Sequence, residues 1–152
     1  MDVIRIYTDG SSLGNPGPGG YGIVLKWREK VKKISKGFKL TTNNRMELMA
    51  VIESLKSLSP HAKEMKIVVY TDSKYVVDAV TKGWVYGWQK KNFKDKKNPD
   101  LWRAFLRISK DFDLSFEWVK GHSGHEENEI CDKLAKTAAE GKNLEVDSGY
   151  EK

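Results

Sequence analysis

Residues 65–80, MKIVVYTDSKYVVDAV, switch from one structural period to another at their centre. Met65 to Thr71 is a nearly continuous apolar run rich in β-branched and aromatic side chains, the pattern of a strand covered on both faces. Asp72 and Ser73 then offer capping oxygens, and a short helix through Val80 follows. A buried strand running directly into a helix calls for a layered α/β arrangement rather than a plain meander.

Upstream, Val3 to Asp9, Tyr21 to Arg28 and Val31 to Leu40 read as three strands joined in an antiparallel meander, the third the most polar. The link after Asp9 looks overlong for a hairpin, and six of the chain's 13 Gly and two of its four Pro fall between Gly10 and Gly22. Thr41-Thr42-Asn43 offers an N-cap for a helix to about Leu58, with Leu48, Val51, Ile52, Leu55 and Leu58 forming its apolar stripe. Downstream come a Trp- and Lys-rich segment, a helix from about Pro99 to Phe112, a strand from Leu114 to Val119, and a helix from about Glu126 to Glu140. That last helix is expected to bury Ile130, Leu134 and Ala138. The fold class is α/β: a five-stranded mixed sheet, three antiparallel strands then two parallel, with helices on both faces. Residues 1–141 form one domain, and residues 142–152, which lack a packing pattern, are expected to be a loose tail.

At 39% hydrophobic and 32% charged residues the composition is that of a globular chain, and no apolar run approaches the roughly 18 residues of a membrane span. The single cysteine, Cys131, excludes an internal disulfide and a cysteine zinc cluster, and fits a reducing cytoplasm. The start of the chain has no signal-peptide pattern, so a cytoplasmic location is expected. Of the net charge of +6, +5 lies between Lys82 and Lys97, where six lysines stand against Asp95 alone. A basic patch on a nearly neutral body points to a polyanion.

Asp9 ends the first strand and Asp72 the fourth. Taken singly they read as a turn residue and a helix cap, and Glu47 as an ordinary helical glutamate. If the two strands are parallel neighbours, the two aspartates lie side by side at the sheet's end, where ligands gather in such folds. Glu47, at the margin of its helix's apolar stripe, would face them. Carboxylates crowded this way repel, and their pKa values rise unless a cation intervenes. A hard divalent ion such as Mg²⁺ fits an all-oxygen set of this kind.

Four stretches in order, YTDGSSLGNPGPGGYG (7–22), TTNNRMELMAVI (41–52), YTDSKYV (70–76) and WVKGHSGHEENEICDKLA (118–135), resemble type 1 ribonuclease H of the bacterial kind, within the ribonuclease H-like superfamily. The resemblance runs from about residue 4 to residue 140. It implies the ribonuclease H-like fold and endonucleolytic hydrolysis of the RNA strand of RNA–DNA hybrids, leaving 3′-hydroxyl and 5′-phosphate ends. It also implies two Mg²⁺ ions, with Mn²⁺ as a substitute, held by Asp9, Glu47, Asp72 and Asp132. Asp132 enters on the resemblance alone, because on the helical wheel it points away from the expected buried stripe. His122 in the GHSGH loop is implied to assist proton transfer or product departure, and Asn128 to support the site.

The implied substrate contacts are Gly10, Ser12, Asn15, Thr42, Asn43, Asn44 and Lys74, together with Trp84, Lys90, Lys91 and Lys94 on a basic handle at about residues 82–98. Thr42 and Asn43 also serve as capping residues. The loop glycines are read as letting the backbone approach a nucleic-acid groove. Lys74 stands where relatives often have glutamine, Ser12 where cysteine is frequent, and Phe93 where tryptophan is common. The expected partner is an RNA–DNA hybrid, with no membrane, no obligate protein partner, and action as a monomer.

Overall fold

The computed structural model describes residues 2–120 and 126–150. Its strands are β1 (Val3–Ser12), β2 (Gly17–Trp27), β3 (Lys30–Thr41), β4 (Lys66–Thr71) and β5 (Asp113–Trp118). Its helices are α1 (Asn43–Lys56), α2 (Lys74–Thr81), α3 (Trp84–Lys90), α4 (Pro99–Ser109) and α5 (Glu126–Ala139), with a 3-10 turn at Pro60–Glu64. The sheet order is β3-β2-β1-β4-β5. β1 is antiparallel to β2 and parallel to β4, β2 is antiparallel to β3, and β4 is parallel to β5. Among the described residues no helix is long and apolar enough to cross a membrane.

The overlong link after Asp9 is mostly strand. Asp9 pairs with Gly22 and Ser12 with Gly19, so only residues 13–16 connect β1 to β2. Extended pairing uses the glycines because two helices press on this end of the sheet. On one face α1 buries Met46, Leu48, Val51, Ile52 and Leu55 against Ile4, Ile6, Tyr21 and Ile23, and side chains of α2, α3 and α4 extend the same core. On the other face α5 packs across β1, β2 and β3.

The buried stripe of α5 is Asn128, Cys131, Ala135 and Ala139, not Ile130, Leu134 and Ala138, which lie half-buried at its margins. Proximity decides the phase: a Cβ on Gly22 would sit 2.3 Å from the Cys131 carbonyl oxygen, so the smallest side chains must face the strand. β4 also departs from its expected double burial. Ile67, Val69 and Thr71 are buried on the face of the large core, but Val68 and Tyr70 are only partly covered, since α5 lies over the neighbouring strands. The Tyr70 ring is sheltered by stacking on Tyr7, with centroids 4.7 Å apart.

The described part of the segment after α5 is not loose. Glu145 pairs with β3, its N–H donating to the Gly37 carbonyl (2.9 Å) and its carbonyl accepting from Lys39 (2.8 Å). Two residues on, Asp147 is only 3% exposed and receives Arg45 Nε at 2.7 Å, Arg45 Nη2 at 2.9 Å and the Thr41 hydroxyl at 2.7 Å. Asp100 of α4 takes two more Arg45 protons at 2.9 and 2.7 Å, and Asn98 Oδ1 accepts the fifth at 3.2 Å. A fully paired guanidinium in the first turn of α1 thus ties the chain's C-terminal segment to that helix. An isolated Arg in a helix reads as a surface residue, so nothing in the local pattern announces this.

The basic handle is anchored along one edge. Val85 and Phe93 are buried, and Trp88 packs edge-on against Trp102 at 5.9 Å. Asn92, Phe93, Asp95 and Asn98 take left-handed backbone conformations to turn the chain here (φ 53°, 58°, 59° and 61°), and Phe93 is held there by its buried ring and by its N–H donating to the Trp88 carbonyl at 2.8 Å.

Replacing Asp147 with Ala strands a buried guanidinium with Asp100 as its only carboxylate. The expected loss is about 3 kcal/mol, the lower end for a broken buried pair. Glu145→Ala removes only the exposed pair with Lys36 (3.3 Å) and should cost under about 1 kcal/mol. Urea midpoints of the two variants check this; similar small shifts in both would show that the strap carries no such weight.

Candidate active site

β1 and β4 stay paired up to Tyr7 and Tyr70, and β4 then ends at Thr71 while β1 continues. Asp9 and Asp72 stand where the two strands part. Glu47 reaches them because α1 lies hard against β1 at Gly10, where a Cβ would be 2.4 Å from the Glu47 backbone nitrogen. One oxygen of each of Asp9, Glu47 and Asp72 lies within 4.8 Å of the others. Asp132, next to the buried Cys131 on α5, adjoins Asp9 from the opposite face. The four open into a cleft of about 460 Å³ that also takes in Ser11, Ser12, Asn43, Asn44, Lys74 and Lys136.

Burial, then the Asp72 charge and the nearby Asp132, push the Asp9 carboxyl from its ordinary 3.8 up to about 8. Glu47 is raised well above its usual range, by burial first and then by Asp9 and Asp72. Its Oε1 is buried without a hydrogen-bond partner among the described residues. An orphaned buried carboxylate oxygen inside an all-oxygen cluster of surplus negative charge is the donor set a hard divalent cation needs. Asp9, Glu47 and Asp72 therefore fit a metal centre, with Asp132 beside Asp9. A larger concavity of about 920 Å³ at the other end of the sheet, walled largely by apolar groups such as Ile4, Leu25, Trp27 and Leu58, has no such cluster.

The other expected site residues divide. Ser12 donates to Asn43 Oδ1 at 2.9 Å, and Asn15 Oδ1 accepts from the Asn43 N–H at 3.1 Å, so the link after β1 is tied to the start of α1. Thr42 caps α1, accepting from the Arg45 N–H at 3.2 Å. Asn44 is exposed at the rim, and Lys74 lines the cleft. Asn128 is buried and donates to the Tyr70 carbonyl at 3.3 Å. Trp84, Lys90, Lys91 and Lys94 are exposed on the handle and are not part of the cleft wall. His122 lies outside the described residues. The absent Cβ of Gly10 makes room for α1, and Gly10 itself lines the cleft.

Two neighbours of the carboxylates escape the sequence reading. Lys136 pairs with Asp132 at 3.1 Å, and its i+4 spacing on the same helix could have signalled it. Trp118, at the end of β5, donates its indole N–H to the Asp72 carbonyl at 3.2 Å, and the Lys74 ammonium sits 4.6 Å from its ring centre. No local pattern marks that residue.

The pattern characteristic of the RNase H family matches residues 1–140. Ribonuclease H of Trichodesmium erythraeum (strain IMS101) is 54% identical over 155 aligned positions, covering 97% of this chain and 96% of that protein. The chain belongs to the RNase H family. It is accordingly an RNase H enzyme, and its sheet is the RNase H fold. LC9-RNase H1, a type 1 RNase H with the type 2 active-site motif, superposes with a TM-score of 0.83 at 34% identity, over 99% of this chain and 80% of that one. LC11-RNase H1, solved in complex with an RNA/DNA hybrid, superposes with a TM-score of 0.67 at 27% identity, over 90% and 96% of the two chains.

The raised carboxyls link stability to pH. Between 3.8, the ordinary value, and about 8, the folded protein holds a proton on Asp9 that the unfolded chain has lost. Metal-free stability should therefore fall as pH rises through this window. Melting in EDTA from about pH 5 to pH 8 is expected to show a declining Tm, with the decline reduced in Asp9→Asn and by added Mg²⁺. A Tm that climbs over this window would contradict the raised values.

Proposed function

We propose that the chain hydrolyses the RNA strand of RNA–DNA hybrids from within, leaving 3′-hydroxyl and 5′-phosphate ends, with two Mg²⁺ ions that Mn²⁺ can replace. The observation that carries this is the convergence of Asp9, Glu47 and Asp72 within 4.8 Å, with Asp132 adjoining, in a cleft that also presents Ser12, Asn43, Asn44, Lys74 and Lys136. Family membership and the hybrid-bound LC11-RNase H1 support the substrate. Asp9, Glu47, Asp72 and Asp132 would hold the ions, which would supply Lewis acidity to an attacking water and to the leaving oxygen. In this reading Asp9 would be shared between them, Asp132 would serve the water side, and Glu47 and Asp72 the leaving-group side. β1 and α1 hold Asp9 and Glu47 rigidly, so ligand geometry is set before substrate arrives.

Asn43, Asn44 and Asn15 sit where short polar groups can reach 2′-hydroxyls across a wide minor groove. Glu47 also faces that groove. The lysines of the handle, residues 82–98 of a catalytic domain spanning 1–141, grip the DNA strand. His122 assists proton transfer or product departure, and Asn128 steadies the loop end of α5. The same proposal has the chain working in the cytoplasm as a monomer.

The deciding experiment incubates the protein and Mg²⁺ with labelled hybrid, duplex DNA and duplex RNA. Cleavage of the hybrid's RNA strand alone is expected; binding without cleavage, or cutting of duplex DNA, would sink the reading. Asp9→Asn should abolish turnover while keeping the fold by circular dichroism. His122→Ala should slow turnover without ending it. Replacing Lys90, Lys91 and Lys94 together should raise KM more than it lowers kcat, and flatten the log KM–log salt slope by up to about 0.9 per phosphate lost.

A further inference from the structure

Trp118 occupies a position that burial does not explain. It closes β5 opposite Thr71 and is 42% exposed, yet two directed contacts fix it. Its Nε1–H donates to the carbonyl of Asp72 (3.2 Å), and its ring face carries the Lys74 ammonium (4.6 Å). Lys74 begins α2, which has no acidic residue in its first turn. A cation is disfavoured at a helix N-terminus, so the helix does not draw the ammonium there. Lys74 also makes no ion pair among the described residues. The aromatic face is what holds it, on the wall of the carboxylate cleft.

We propose that Trp118 is a positioning residue for both sides of this corner: its N–H fixes the backbone of Asp72, and its ring aims Lys74 at a backbone phosphate of the bound hybrid. The inference rests on the hybrid-cleaving reading above. A free lysine must give up rotamers to grip a phosphate, and a side chain already laid on an indole has given up most of them. The indole N–H restrains the point where β4 releases Asp72 into the cleft, one residue beyond the last strand pairing.

The test compares Trp118→Phe, Trp118→Leu, Lys74→Met and the double variant Trp118→Leu/Lys74→Met with the wild type. Hybrid Kd is read by fluorescence anisotropy in Ca²⁺ over a range of KCl, and Mg²⁺ binding without substrate by calorimetry. Trp118→Leu and Lys74→Met should each flatten the log Kd–log salt slope by about 0.9, one phosphate's share, and the double variant should be no flatter than either. Trp118→Phe keeps a ring face but lacks the N–H. It should retain the wild-type slope and weaken Mg²⁺ binding roughly two- to tenfold, as loss of one hydrogen bond behind a ligand implies. A wild-type slope in Trp118→Leu or Lys74→Met, or unchanged Mg²⁺ affinity in Trp118→Phe, would overturn the proposal. Should Trp118→Leu fail to fold, Lys74→Met decides the slope and Trp118→Phe the metal affinity. Wild-type cleavage of the hybrid is scored separately, so a failure of the hydrolase reading is not mistaken for a failure of Trp118.

Discussion

At the level of Asp9 the sheet is thinned on both faces by two missing β-carbons. Gly22, the partner of Asp9 across the β1–β2 ladder, admits the α5 backbone at Cys131, and Gly10, the next residue of β1, admits α1 at Glu47. Successive strand residues point to opposite faces, so one glycine serves each helix. Asp132 and Glu47 can then converge on a strand aspartate from above and below. A side chain at either glycine would lift a helix and pull one carboxylate out of the cluster.

Holding that cluster together opposes stability. Asp9 and Glu47 are buried beside other acids, and both carboxyls are driven upward in consequence. Such sites survive when the surrounding structure over-determines them. Here the α1 face of the sheet carries the large apolar core, and the Arg45–Asp147–Asp100 network fixes the start of α1 two residues from Glu47. The strain-bearing end of the helix is therefore the end most firmly tied.

Much of this was legible in the sequence, and the reasons are local. Strand and helix order followed from period, and Asp9 and Asp72 fall side by side once β1 and β4 are parallel neighbours, a pairing that the element order suggested. Glu47 followed from its place on a helical wheel. What escaped depended on distant partners. The phase of α5 is set by glycines on other strands, and the helix's own hydrophobicity misleads because Ile130 and Leu134 are larger than the space available. Asp147 shows no hydrophobic pattern, and its partner Arg45 lies 102 residues away. Trp118 looks like any strand-end aromatic until β4 is laid beside it.

That separation sets an order of events during synthesis. Arg45 leaves the ribosome 102 residues before Asp147, the later of its two carboxylate partners. At about 5–20 residues per second the wait is roughly 5–20 s. Through that interval α1 cannot bury its guanidinium at full pairing, although its apolar stripe and the first three strands are already made. The tie between Arg45 and Asp147 can thus form only late in synthesis, so the helix that carries Glu47 gains its last anchor after nearly every other element has emerged.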